Sequence, residues 1–600
     1  MKGLKVGLEI HQQVAGRKLF CNCPAEIAED EKPDKIIKRE LRAVAGETGE
    51  LDIAAAHEQH KQKTYYYQYH NKYNCLIDID EEPPLQINTE AVAAALVVAK
   101  LLHADIVDEI HVMRKTVVDG SNTTGFQRTA LIAMNGYIEI EGRNIGIDTI
   151  CLEEDAAKIV ERKPEHDVYD ISRLGIPLIE IATDASIDSP ELAQKTAEKL
   201  GMILRSTGKV RRGLGTIRQD VNVSIPSGCR VEIKGAQDLK MIPTLITYEI
   251  QRQETLAEIQ KRLGKYIIDK EFIDVTDSLA GCTSKIVQNT FNDNGVIYGL
   301  RLENFNGVIG KELMPSKRLG TEFSHYAKTA AGVGGLFHSD ELPKYGIEQK
   351  DVDAVKKALG CNSNDGFVII ADQKAKVLKA LHAVYDRAMA VQKGVLKEVR
   401  NAQQDGTTVF LRPMPGAARM YPETDVMPLV PDTAQVTLPK LLDESASDFI
   451  ALGLSKDLAD LIAKSGKAEQ FELFVKKFKN LKPAFIAETM LPKLREIKRK
   501  YAVDAEISPK LLEEIFAHLD KGELPKEALE DVLVEAIKTR SVDFNKYTGI
   551  SDTELEKILK RITEENSGAP LGTLMGIAMK ELRGKADGRK IHELLKKVVK

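Results

Sequence analysis

Apolar and polar residues alternate with a period of two along several stretches of the chain, most regularly over residues 216–235, TIRQDVNVSIPSGCRVEIKG. Ile217, Val221, Val223, Ile225, Val231 and Ile233 take odd positions; Arg218, Asp220, Asn222, Ser224, Arg230, Glu232 and Lys234 take even ones. The pattern, interrupted by Pro-Ser-Gly, predicts a β-hairpin with one apolar face. Directly opposed residues of an antiparallel pair share a face, so even must pair with even. A three-residue loop at 226–228 does this and sets Asp220 opposite Lys234 and Asn222 opposite Glu232, whereas a two-residue loop would set polar against apolar. The first strand, VGLEIHQQV, alternates in the same way, with Val6, Leu8 and Ile10 on one side and Glu9, His11 and Gln13 on the other.

Helical periodicity appears in AVAAALVVAKLLHA, capped by Asn88 or Thr89 with Glu90 in its first turn. Ser189-Pro190-Glu191 opens a second helix, with Leu192, Leu200, Ile203 and Leu204 at helical spacing and a stop near Gly208. Many strands with few crossover helices predict an α+β fold with a mostly antiparallel sheet. Over residues 271–400, strand-like GVIYGLRLENFNGVIG and DGFVIIADQ surround GVGGLFHS and precede a long helical run, which reads as a separate small α+β domain. Residues 401–436 return to strand and loop. The domain at 271–400 is therefore expected to be inserted into a cradle built from 1–270 and 401–436. Residues 437–505 and 506–600 read as two helical regions.

Six hundred residues exceed one core and suggest three or four domains. No run of eighteen apolar residues occurs, so no transmembrane helix is expected. No apolar signal core is evident near the N-terminus, and seven scattered cysteines do not make a disulfide framework; a reducing cytoplasm is the simplest compartment. The net charge of −5 gives no hint of nucleic acid. The last 30 residues, however, hold eight Lys/Arg against three acids, and KLREIKRK adds a second basic cluster. Such runs are commonly solvated helix faces, but their confinement to the C-terminal third makes an RNA contact worth considering, with Lys580, Arg583, Lys585, Arg589 and Lys590 as candidates.

Candidate chemistry gathers on the strands. Glu9 and His11, the run Glu153-Glu154-Asp155, and the hairpin's Asp220, Glu232 and Lys234 all lie on or beside them. Converging carboxylates repel unless a cation joins them, and oxygen-rich ligation suits Mg²⁺ or Mn²⁺. The basic glycine-rich lead-in STGKVRRGLGT, with Lys209, Arg211 and Arg212, suits anions. No GxxxxGK[ST] motif occurs. The combination fits phosphoryl transfer through carboxylate-held metal, with Arg218, Asn222 and Lys234 facing the nucleotide. A solvated outer face with cross-strand ion pairs is the plainer alternative. Cys21-Asn22-Cys23 is half a zinc site that Cys75 and His57 or His60 would have to complete; buried free thiols are the simpler expectation, and zinc is not expected.

GLEIHQQ, ICLEEDAAK, DISRLGIPLIEIATDASIDSP and IRQDVNVSI…VEIKG follow in order the motifs of the tRNA-dependent amidotransferase B/E family, which the chain resembles throughout its length. YNCLIDIDEEPP, RKTVVDGSNTTGFQRTALIA, FLRPMPGAARMYPETDVMP and the insertion resemble the archaeal E-type branch, acting on Glu-tRNA(Gln). The insertion looks like the extra domain of bacterial-type aspartyl-tRNA synthetases. The ending GAPLGTLMGIAMKELRGKADGRKIHELLKK resembles the family's tRNA-binding tail. The resemblance implies an ATP-dependent carbon–nitrogen ligase. It phosphorylates the Glu side chain on misacylated tRNA(Gln) and amidates it with ammonia. That ammonia comes from an asparaginase-like D-type partner drawing on glutamine, in a heterotetramer of two D-type and two E-type chains. Carried over, Glu9, His11, Glu154, Asp220 and Glu232 match the family's metal and catalytic cluster, and Lys115 a lysine lining it. Strand alternation favours Glu153 over Glu154; the family register selects Glu154, with Glu153 supporting it. A noncatalytic tRNA-binding scaffold is the alternative. A ligase of free amino acids is disfavoured because it would leave the basic tail idle.

Overall fold

The computed structural model describes residues 3–42, 49, 55, 58–59, 63–163, 165–264, 269–414, 416, 420–434, 436–501, 507–547, 552–582 and 588–598. The chain forms two compact units, Met1–Pro439 and Lys440–Lys600.

The first unit is organised by an eleven-stranded sheet. Its main strands are β1 (Lys5–Gln13), β2 (Val112–Thr116), β3 (Phe126–Ile140), β4 (Arg143–Glu154), β5 (Pro177–Thr183), β6 (Ile217–Ser224), β7 (Val231–Lys234), β8 (Glu398–Ala402), β9 (Thr408–Pro413) and β10 (Met420–Pro422). They run in the order β9-β8-β7-β6-β1-β5-β4-β3-β2-β10, and Asp105–Ile106 pairs with β3. Every pair is antiparallel except β7 with β8. The segment after residue 397 therefore joins both edges: β8 extends the sheet beyond the hairpin, and β10 closes on β2.

Alternation explains the sheet. Val6, Leu8 and Ile10 are fully buried, as are Val221, Val223, Val231 and Ile233. Each such side chain contributes about 1.5–3 kcal/mol relative to exposure. The hairpin has the expected register, with Asn222 opposite Glu232. Its connection is longer than the three residues expected: regular strand stops at Ser224 and resumes at Val231, with one tight turn from the Ile225 carbonyl to the Gly228 amide. Gln253 explains this, since it donates to the Val223 carbonyl and fills the space where a Cβ on Gly228 would stand.

Helix α1 (Thr89–Leu101) is capped by Asn88, whose side chain accepts from the amides of Glu90 and Ala91, a device that contributes about 1 kcal/mol. Helix α2 (Pro190–Ser206) is capped by Ser189, and α3 (Ile242–Leu263) follows the hairpin. A second sheet, from Lys35–Arg39, Thr64–Tyr69, Lys158–Arg162 and His166–Asp170, buries Tyr65, Tyr67 and Tyr169. A third, from Phe272–Asp274, Val296–Leu302, Phe337–His338 and Gly366–Asp372, packs with α4 (Leu319–Ala331) and α5 (Lys374–Val391) around Leu300, Phe323, Val368 and Leu381.

A buried lattice of charge ties this third sheet's helices to the main sheet. Arg252 of α3 donates to Glu249 at 3.0 Å, Glu322 of α4 at 2.5 Å and Glu398 of β8 at 2.6 Å. Arg387 of α5 donates to Glu322 at 2.7 Å, and Arg400 to Glu398 at 2.6 Å. Three arginines and three glutamates balance, with side chains no more than 3% exposed. Burial alone would raise Glu322; Arg252, Arg400 and Arg387 outweigh it and hold its carboxyl well below the usual range.

The second unit is helical, running from Leu442–Ala451 to Gly588–Val598. One apolar cluster centres on Phe449, Phe471, Phe474 and Phe516, another on Leu559, Leu574 and Leu595. Among the described residues, no helix is long and apolar enough to cross a membrane.

Removing one partner of a buried ion lattice strands the others, at a cost of about 3–5 kcal/mol. Glu322→Ala should therefore destabilise the first unit by that amount in urea unfolding, and a loss below about 1 kcal/mol would show the lattice to be energetically idle.

Candidate active site

Register decides which polar residues meet. β1 lies between β5 and β6 and pairs Glu9 with Ala182 and Asp220; two residues on, His11 pairs with Glu180 and Arg218. β5 in turn sets Leu178 opposite Glu153 of β4. Because opposed residues share a face, Glu9, His11, Glu153, Glu180, Arg218, Asp220, Asn222, Glu232 and Lys234 all fall on the same side of the sheet. Lys115 of β2 reaches the same place.

Two groups of potential ligand atoms result. Glu9, Asp220 and Glu232 form one, His11, Glu153 and Glu180 the other, and within each the ligand atoms lie within 4.8 Å of one another. Each group holds its own lysine. Lys234 Nζ donates to Asp220 at 2.7 Å and lies 2.6 Å from Glu232; Lys115 Nζ donates to Glu153 at 2.9 Å and lies 3.9 Å from Glu180. Amides complete the sets: Asn222 Nδ2 donates to Glu9 at 2.9 Å, and Gln127 Nε2 to Glu153 at 3.1 Å. His11 Nε2 stands 3.2 Å from Glu180.

The electrostatics follow from this crowding. Burial raises Glu9, and the charges of Glu232 and Glu180 raise it further. Burial likewise raises Glu153, with Glu180 adding to it. For Glu180 and Asp220 burial is outweighed, by Lys115 and His11 at the first and by Lys234 and His11 at the second, so both sit below the ordinary carboxylate range. His11 is raised because Glu180 overcomes burial, and Lys234 because Asp220 and Glu232 do. Each group thus holds one carboxylate fixed as an anion beside another that keeps a proton more readily. Oxygen donors with a single imidazole suit a hard divalent cation in either group.

One expected member is elsewhere. Glu154 points to the other face, where it accepts from the Arg128 amide at 3.0 Å and lies 3.6 Å from its guanidinium, which is also bound to Glu423. The ladder runs unbroken to Pro177 opposite Glu154, so alternation persists to the end of β4 and puts Glu153 beside His11. Glu180 was missed altogether. Its signal is a lone acid in the apolar strand PLIEIAT, in phase with the other site residues.

Cys21, Cys23, Cys75 and Asp78 form a third group with ligand atoms within 4.8 Å of one another, away from the expectation of separate thiols. Hydrogen bonds from Cys21 and Cys23 lower the Cys75 thiol to about 2. Three sulfurs and a carboxylate are a donor set of the kind zinc takes, unlike the oxygen-rich groups. His57 and His60 lie outside the described residues. Of the basic tail residues, Lys580 is exposed on the helix Leu571–Glu581. Arg583 and Lys585 lie outside the described residues, as do the side chains of Arg589 and Lys590 in Gly588–Val598.

This arrangement of strands and acids has known counterparts. The family described as GatB/GatE catalytic domain matches residues 4–437, and the GatB domain matches residues 469–599. A relative from Methanocaldococcus jannaschii, named as the E-type chain of glutamyl-tRNA(Gln) amidotransferase, is 45% identical over 100% of this chain and 98% of its own length. Relatives of the same name from Methanococcus maripaludis and Sulfurisphaera tokodaii are 44% and 43% identical, each aligned over at least 99% of this chain and 98% of their own length. The chain belongs to the GatB/GatE family of tRNA-dependent amidotransferases.

Raised values at Glu9, Glu153 and His11 mean that protons occupy ligand atoms at weakly acidic pH and must leave for a cation to bind. Mn²⁺ affinity should therefore rise with pH and binding should release protons, measured calorimetrically in buffers of differing ionisation enthalpy. Affinity independent of pH would contradict these assignments.

Proposed function

We propose that this chain catalyses the ATP-dependent conversion of Glu to Gln on tRNA(Gln), using ammonia from an asparaginase-like partner in a heterotetramer of two copies of each. Support comes from the names of its relatives and, above all, from the two lysine-bearing carboxylate groups that one sheet holds side by side. A carboxylate is a poor acyl donor, so the side chain must first be activated. In the first step a carboxylate oxygen of the glutamyl group attacks the terminal phosphorus of ATP, the bond to the bridging oxygen breaks, and ADP leaves. In the second, the ammonia nitrogen attacks the acyl carbon, and the carbon–oxygen bond to phosphate breaks as inorganic phosphate departs.

Glu9, Asp220 and Glu232, with His11, Glu153 and Glu180, would hold Mg²⁺ or Mn²⁺, which supplies charge neutralisation for the phosphates. Lys115 and Lys234 are the chain's own positive charges here, and Asn222 orients Glu9. Glu180, kept ionised by Lys115 and His11, is the base for the proton that ammonia gives up. Exposed lysines such as Lys580 would meet the tRNA backbone, read by shape and charge.

The test is ADP formation by the full chain given ATP, Mg²⁺, Glu-tRNA(Gln) and ammonium in place of the partner. Wild type should form ADP only with the charged tRNA. Asp220→Asn, which removes the anion that Lys234 balances, should lose about a hundredfold or more in rate while keeping its tRNA affinity. Tight tRNA binding with no ADP from wild type would leave a noncatalytic scaffold.

A further inference from the structure

Beyond the acidic groups, the same face carries more guanidinium than its neighbouring acid balances. Asp155, fully buried just past β4, accepts from Arg218 Nη2 at 2.5 Å through Oδ1 and from Gln13 Nε2 at 2.6 Å through Oδ2. Arg173 Nε stands 3.8 Å from the same Oδ1. Gln13 in turn accepts from Arg211 Nη1 at 3.0 Å. Three arginines from three separate segments are thus gathered around one carboxylate: Arg173 from the turn before β5, Arg211 from the basic glycine-rich loop, and Arg218 from β6. Other acids act more weakly. Glu26 and Glu29 bear on Arg211 less than Asp155 does, and Asp170 bears on Arg173 less than the opposing Arg218 does.

Neutralising Asp155 requires one arginine, not three. A guanidinium has five N–H donors. Among the described residues, hydrogen bonds occupy one donor on Arg211, one on Arg218, and two on Arg173, the last to the carbonyls of Ala156 and Ala157. The side chains of Arg173 and Arg218 remain 22% and 28% exposed, so part of each fork faces solvent. Burial pulls both Arg173 and Arg211 below the usual arginine range, and for Arg173 the nearby Arg218 adds to it, the behaviour of crowded cations lacking an anion. The position is specific: Arg218 is the direct cross-strand partner of His11, so the surplus adjoins the His11, Glu153 and Glu180 group.

We propose that Arg173, Arg211 and Arg218, held in place by buried Asp155 and Gln13, form a subsite for phosphate oxyanions beside the His11 group. The assignment rests on the phosphoryl-transfer reading given above. Arginine forks bind phosphate oxygens in pairs, and a buried carboxylate behind them fixes their geometry before the ligand arrives. Two sources carry this chemistry: the terminal phosphates of ATP and the phosphodiester at the acceptor end of the tRNA.

Calorimetric binding of magnesium-ATP and of tRNA to the full chain separates them, using wild type, Arg211→Gln, Arg211→Lys and Arg173→Gln. Arg211 is the gentler variant, because its side chain bonds to Gln13 from a loop. Arg211→Gln should weaken one ligand about tenfold, and Arg211→Lys should recover part of the loss. Loss confined to ATP identifies the nucleotide; loss confined to tRNA, with a salt slope shallower by about one, identifies the phosphodiester. Wild-type affinity for both ligands in folded Arg211→Gln and Arg173→Gln overturns the subsite. A wild type that binds no ATP overturns the phosphoryl-transfer reading instead, and the tRNA arm then decides the subsite alone.

Discussion

The pairing of β1 between β5 and β6 is the constraint on which the rest depends. A slip of one residue in either ladder would turn Glu180 or Asp220 into the core and bring isoleucine or valine beside His11. Val6, Leu8 and Ile10, fully buried on the opposite face, make that slip costly. The same hydrophobic alternation that builds the sheet thus fixes the positions of the acids, and no loop is asked to hold them. The hairpin β6–β7 extends the arrangement by one more strand, and β8, returning from the third sheet, supports that strand from its outer side.

So many carboxylates on one face would repel one another, and the chain's answer is local balance. Lys234 stands among Glu9, Asp220 and Glu232, and Lys115 between Glu153 and Glu180. Both lysines come from strands, so neither charge can wander far. A divalent cation entering either group would meet an ammonium already in contact with its ligands, which ties cation binding to a shift of that lysine. The buried lattice of Arg252, Arg387 and Arg400 follows the same logic at greater depth, where an unmatched charge would be far more expensive.

Much of this was legible in the sequence because period-two patterns carry face and register together. The hairpin's pairing, the polar side of β1 and the caps at Asn88 and Ser189 follow from local residues alone. What the sequence hid was long-range. Glu180 looks like an isolated acid in an apolar strand until β1 pairs with it, and Cys75 has no visible tie to Cys21 and Cys23 until the chain folds back. At Glu153 and Glu154 two lines of reasoning disagreed. Alternation named the residue that lies beside His11, whereas a motif match located the acidic run without fixing which of its side chains faces the site. The hairpin's longer connection was also beyond reach, because Gln253, thirty residues past the strand it bonds, sets it.

The central claim is that the glutamyl carboxylate becomes an acyl phosphate on this face of the sheet. The most direct measurement follows the oxygen itself: Glu-tRNA(Gln) carrying a heavy oxygen isotope in its side-chain carboxylate is converted with ATP and ammonia, and the released phosphate is examined by mass spectrometry. The account predicts one labelled oxygen in each phosphate formed per Gln produced, since the carboxylate oxygen leaves bonded to phosphorus. Gln formation with unlabelled phosphate would contradict it.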